Sequence, residues 1–162
     1  MKLEESVAVY GPGPLLIVYG IPVGIQDEEI QDMISDGAPN ASKKNVKVVR
    51  LSTENSNILD LSMQNALEGL NQGSIEPSTT DTQTQQALDV PVIFFSGFDD
   101  NEMLSVYNIL GGEIYEETGG QASAACAKAV PNAMKKPLRQ VLDEISGDHQ
   151  DALSLDYKKE EE

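Results

Sequence analysis

Two short, unbroken apolar runs stand out along the chain, and each is followed by the same succession of residue types. Leu15-Leu16-Ile17-Val18-Tyr19 leads into Gly20-Ile21 and then into Asp27-Glu28-Glu29-Ile30, whereas Val92-Ile93-Phe94-Phe95-Ser96 leads into Gly97-Phe98 and then into Asp99-Asp100-Asn101-Glu102-Met103. Continuous apolar runs of this length predict strands covered on both faces. The acidic stretches predict helix starts, where carboxylates complement the helix dipole.

After the first run the pattern predicts a helix over 25–34 on Ile30, Met33 and Ile34, stopped by Gly37, Pro39 and Asn40. A strand over 46–51 and a helix over 58–70 follow, the helix with Leu59, Met63, Ala66, Leu67 and Leu70 on one stripe. The second run continues with a helix over 100–110, a strand over 122–130 and a helix over 137–146, where Leu138, Val141, Leu142 and Ile145 repeat the spacing of Met63, Ala66, Leu67 and Leu70. The predicted fold is α/β, built as tandem βαβα units that form a mostly four-stranded sheet packed with helices. Short crossovers predict parallel pairing within each unit.

The boundaries follow from composition. Residues 1–14 form an N-terminal arm closed by Gly11-Pro12-Gly13-Pro14, and residues 15–71 the first unit. Residues 72–89, rich in Ser, Thr, Gln and Gly, are predicted to be a flexible polar linker, because they hold too little apolar surface to offset the entropy of ordering. Residues 90–149 form the second unit, and 150–162 a charged tail expected to fray.

Charge narrows the range of partners. The 27 acidic side chains outnumber 11 basic ones and leave a formal charge of −16, so general attraction to nucleic acid or anionic lipid is not expected. The apolar runs are too short to cross a bilayer and follow no basic leader, which predicts a soluble intracellular protein. Cys126 is the only cysteine; its alanine-rich surroundings predict an inert buried thiol, and an intrachain disulfide is impossible.

Candidate chemistry is sparse. Asp99, Asp100 and Glu102 could hold a hard cation, but their spacing fits an N-cap and capping box, and Asp27 and Glu29 repeat it. The loop 20–24 lies where phosphates often bind, yet no Lys, Ser or Thr follows as in a nucleotide loop, and the acidic first turn repels anions. Glu113, Glu116 and Glu117, with Tyr115, read as a solvated loop between glycines; with no Trp in the chain there is no sugar platform beside them. Neither a catalytic set, a cofactor site nor a metal site is expected. The cations are grouped: Lys43, Lys44, Lys47 and Arg50 around one strand, and Lys128, Lys135, Lys136 and Arg139 around another. Such grouping predicts a local basic face, or else internal balance of the chain's own carboxylates.

The segment 90–149 resembles a small, functionally uncharacterised α/β domain family of bacteria and photosynthetic eukaryotes. The residues that carry the resemblance are Phe94, Phe95, Gly97, Phe98, Asp99 and Glu102, then Lys128-Ala129-Val130-Pro131-Asn132, and finally Leu138, Leu142 and His149. Met134-Lys135-Lys136 stands where the family has an aromatic residue before the last helix. The resemblance implies a compact βαβα unit in a bacterial-type or plastid setting and brings no reaction, so the expected location is the plastid stroma or the cytoplasm.

The functional expectation is a non-enzymatic protein-interaction or assembly protein with charge-segregated surfaces, using Gly97, Phe98, Lys128, Pro131, Asn132, Lys135, Lys136 and Arg139 to contact a protein partner. The alternative is a small-anion or metabolite-sensing module with a ligand cleft between the two units.

Overall fold

The computed structural model describes residues 10–22, 24–52, 55–75 and 90–161. In chain order the elements are β1 (Leu15–Tyr19), α1 (Asp27–Gly37), α2 (Pro39–Lys43), β2 (Lys47–Leu51), α3 (Ser56–Leu59), α4 (Met63–Gln72), β3 (Val92–Ser96), α5 (Asp100–Glu117), β4 (Ala125–Lys128), a 3-10 turn (Pro131–Ala133) and α6 (Leu138–Glu161). The fold is α/β, with one four-stranded mixed sheet in the order β2-β1-β3-β4. β1 and β2 pair in parallel, as do β3 and β4, while the central β1–β3 pair is antiparallel.

Both central strands are buried along their whole length, as their unbroken apolar runs require. Alternate side chains feed two separate cores. Leu15, Ile17, Val92 and Phe94 pack with Met63, Leu67, Leu138 and Leu142, under α4 and α6. Leu16, Val18, Ile93 and Phe95 pack with Ile30, Ile34, Val106 and Leu110, under α1 and α5. Helices therefore cover both faces of the sheet.

The β1–β3 register is symmetric about the Ile17–Phe94 pair, with Leu15 opposite Ser96 and Tyr19 opposite Val92. The helix layer obeys the same relation. Ser62 bridges Pro137, and on either side the Met63 amide donates to the Lys136 carbonyl and the Leu138 amide to the Leu61 carbonyl, each at 2.8 Å. Each central strand ends in a left-handed glycine, Gly20 at φ +73° and Gly97 at φ +78°. On the flanking strands, Arg50 lies opposite Val18 and bonds Asp27 at the start of α1, while Lys128 lies opposite Phe95 and bonds Asp100 at the start of α5.

Several elements differ from the sequence reading. The helix expected to stop at Leu110 continues to Glu117, so Glu113, Tyr115, Glu116 and Glu117 are helical rather than part of a loop. Two mid-helix glycines cost about 2 kcal/mol relative to alanine, and the full burial of Ile114 just beyond them offsets a loss of that order. The last helix runs past Ser146 and Gly147 through the expected tail to Glu161. The helix expected over 58–70 is split into α3 and α4, with Ser62 capping α4 through the Asn65 amide. The linker's first residues, 72–75, belong to the end of α4 and its left-handed Gly73 cap, with Ile75 against the core; residues 76–89 lie outside the described residues. The end of the N-terminal arm is tied down, since the Gly97 amide donates to the Tyr10 carbonyl at 2.9 Å and the Ser96 hydroxyl to the Pro12 carbonyl at 2.6 Å; residues 1–9 lie outside the described residues.

Candidate functional site: the outer face of the long helix

α1 and α5 lie side by side on one face of the sheet and run in opposite directions. Gly37 at the end of α1 abuts the backbone at Ser105 and Val106, while Gly24, just before α1, lies beside the Glu117 carboxylate. Glu102, Val106, Leu110 and Ile114 turn inward and are buried. Leu104, Asn108, Gly112 and Tyr115, spaced so that they share one line of an α-helix, turn outward and are exposed.

This outward line is unusual for so charged a chain. No charged residue occurs from Met103 to Gly112. Leu104, Ile109 and Tyr115 are 51%, 38% and 54% exposed and make up three of the five large exposed apolar residues among those described. At Gly112 a β-carbon would have no atom of the described residues within 4 Å, so no contact among them requires a glycine there. Carboxylates gather at the C-terminal end of the line. Glu116 and Glu117 occupy the last turn of α5, which contains no basic residue, and Glu117 lies beside Gly24, three residues before Asp27, which Arg50 pairs at 3.3 Å. Carboxylates at a helix C-terminus oppose that helix's dipole and each other, so Glu116 and Glu117 make this end negative.

The Asp99–Glu102 region is structural. Asp99 accepts the Glu102 amide at 2.8 Å as an N-cap. The Glu102 side chain does not close a capping box; it crosses to α2, where its two oxygens accept the Asn40 and Ala41 amides, each at 3.0 Å. Pro39 at the first turn of α2 has no N–H, and the N-cap position is Ala38, which has no side-chain acceptor, so Glu102 supplies from another helix the cap that α2 lacks. In α1, Glu29 does reach back to the Gln26 amide, at 2.8 Å.

The residues expected to contact a partner differ in exposure. Phe98 is buried edge-on against Phe95, with ring centroids 5.1 Å apart. Gly97 packs against the backbone of Pro12 and Gly13. Pro131, Asn132 and Lys135 are exposed around the 3-10 turn. Three of the cations balance the chain's own carboxylates: Lys128 with Asp100 at 2.7 Å, Lys136 with Glu144 at 3.1 Å, and Arg139 with Asp60 at 3.0 Å. Hydrogen bonds from Gln140 and Lys136 hold Glu144 below the usual carboxylate range. Arg50 works as a clamp, donating to the Ile25 carbonyl at 2.6 Å and the Pro22 carbonyl at 3.0 Å, which holds the 20–26 loop over the strand.

A shallow cleft of about 510 Å³ lies between the two halves, lined by Asp60 from the first and by Pro137, Arg139, Gln140, Asp143 and Glu144 from the second. Of its three carboxylates, Asp60 pairs with Arg139 and Glu144 with Lys136, which leaves a small net negative charge that favours a cation over a small anion. Burial, and then Asp143, pushes the nearby Tyr19 phenol up, with Arg139 opposing.

The Ser123 hydroxyl and His149 Nε2 are 3.0 Å apart, and among the described residues no carboxylate bonds the other ring nitrogen to orient the imidazole as a base. Cys126 is partly buried, and burial pushes its thiol up to about 11, away from the thiolate that a nucleophile requires. No group of three or more His, Cys, Asp or Glu among the described residues is arranged to hold a metal ion, and no helix among them is long and apolar enough to cross a membrane. Compared with known proteins, the chain matches no family model, no curated protein and no solved structure.

The signal for the α5 face was present in the sequence as a ten-residue gap in the charge pattern. Locally, Gly111-Gly112 reads as the end of the helix, which hides the alignment of Leu104 with Tyr115.

Proposed function

We propose that this chain is a non-enzymatic protein-interaction module, built from two copies of a βαβα unit, whose contact surface is the outer face of α5. The observation that carries the reading is the charge-free line from Leu104 to Tyr115 with an exposed, unneighboured glycine in it. Gly112 costs the helix about 1 kcal/mol relative to alanine, and close approach of an external surface supplies a reason to keep it. The symmetric register, the two left-handed glycines and the matched Arg50–Asp27 and Lys128–Asp100 pairs support the two-copy part of the reading.

The test is affinity purification of the parent chain from native cell extract beside Gly112→Gln and the double variant Lys135→Glu, Lys136→Glu. The expected result is a stoichiometric partner retained by the parent and the lysine variant but lost with Gly112→Gln. The reverse pattern would place the contact on the 128–136 stretch instead.

Ligand sensing at the cleft is the second reading, favoured by its position between the halves, and its ligand would be cationic. A rise in Tm with small amines and none with phosphates is the expected signature.

A further inference from the structure

Resting on the α5 reading, the geometry points to one kind of occupant: we infer that the outer face of α5 receives an amphipathic helix of a partner protein, apolar along one stripe and carrying Lys or Arg at the end that lies over Glu116 and Glu117. The exposed line from Leu104 to Tyr115 spans eleven residue steps, about 16 Å of helix, which matches three turns of a partner helix. Gly112 opens a gap between Asn108 and Tyr115 on that line, and a side chain of the partner fills it as ridges fill grooves between packed helices. Its small size also lets the two backbones approach closely.

Charge decides which helix fits. The line carries no charge, and its two large side chains, Leu104 and Tyr115, call for an apolar complement. Its C-terminal end carries Glu116 and Glu117 with no basic residue in the last turn. A cationic end over that corner compensates like charges that the fold leaves together and is drawn in by the −16 field of the chain. A second copy of this chain matches that corner less well: parallel α5 helices would set Glu116 and Glu117 against their own equivalents, and antiparallel ones would set them near Asp100, already paired with Lys128 at 2.7 Å.

The experiment titrates the full chain into fluorescein-labelled helical peptides of about 16 residues and reads anisotropy at low and moderate salt. The peptides share one leucine stripe and differ at one end, which is Lys/Arg, Gln or Glu. The expected result is that the Lys/Arg peptide binds roughly tenfold tighter than the Glu peptide, with the difference shrinking as salt is raised. Glu116→Lys with Glu117→Lys removes that preference; cations suit a helix C-terminus, so this variant keeps its fold by circular dichroism. Gly112→Gln, also a good helix former, weakens the Lys/Arg and Gln peptides alike.

Three results overturn the inference, and they are distinguishable. Equal binding of all three peptides, abolished by Gly112→Gln, leaves the α5 surface standing and removes the charge preference. Absence of peptide binding with sedimentation as a dimer that Gly112→Gln dissociates makes a second copy the occupant. Absence of peptide binding by a chain that sediments as a monomer removes the α5 surface as well.

Discussion

Replacing Glu102 tests whether a helix can depend on a cap supplied from elsewhere in the fold. The side chain is 9% exposed and accepts two backbone amides of α2, those of Asn40 and Ala41, each at 3.0 Å. Glu102→Ala leaves both donors without a partner in a region that water reaches poorly, and α2 has no local side-chain cap to take over. Losing hydrogen bonds to a carboxylate, at about 1.5–3 kcal/mol each and not fully additive, gives an expected destabilisation of about 2–4 kcal/mol. That corresponds to a fall in Tm of about 10 °C for a chain of this size. Glu102→Gln keeps one acceptor oxygen and is expected to cost about half as much. Urea unfolding at neutral pH reads both values, provided the m-value is unchanged. The reasoning fails if Glu102→Ala lies within about 0.5 kcal/mol of the parent, the usual range for surface substitutions, or if Gln and Ala are equally damaging.

Other substitutions check other parts of the structure. Gly97→Ala places a β-carbon at φ +78° only 3.0 Å from the Gly13 Cα, so a loss of more than about 1 kcal/mol is expected in urea unfolding; a neutral result would mean that the arm is not held against β3 as described. Arg50→Ala removes the clamp on the 20–26 loop as well as an ion pair and should cost about 1–3 kcal/mol, whereas Lys128→Ala, which loses only an exposed ion pair, should cost less than about 1 kcal/mol. Equal effects would mean that the Arg50 carbonyl contacts contribute nothing. The Cys126 thiol, pushed up from 9.0 to about 11 by burial, holds a proton in the folded chain that the unfolded chain releases. Its contribution to stability is therefore full below pH 9 and declines as pH rises towards 11. Cys126→Ala should flatten that alkaline decline in urea midpoints, and identical slopes for parent and variant would refute the assignment.

The candidate site was legible in part. The charge-free stretch from Met103 to Gly112 can be seen in the sequence, but which of its residues face outward depends on the helix continuing through Gly111-Gly112, and that depends on the burial of Ile114. Local sequence does not show that Lys128 and Arg139 pair with carboxylates distant in the chain, nor that Phe98 is buried. Asp60, the partner of Arg139, is 79 residues away, and Phe95 receives the Phe98 ring only inside the packed core.

What the sequence by itself determined is the set of local elements. Unbroken apolar runs specify strands that must be covered twice, acidic first turns specify helix starts, and the matching stripes of Met63 and Leu138 specify helices that bury one face. Each of these is written in neighbouring residues, because dipole, periodicity and burial act within a turn or a strand length. Only the tertiary structure decided that β1 and β3 meet antiparallel, which helices cover which face of the sheet, that Glu102 caps α2 from another helix and that α5 outlasts its glycines. Those outcomes rest on contacts between residues distant in the chain, whose energies exist only once the two cores have formed.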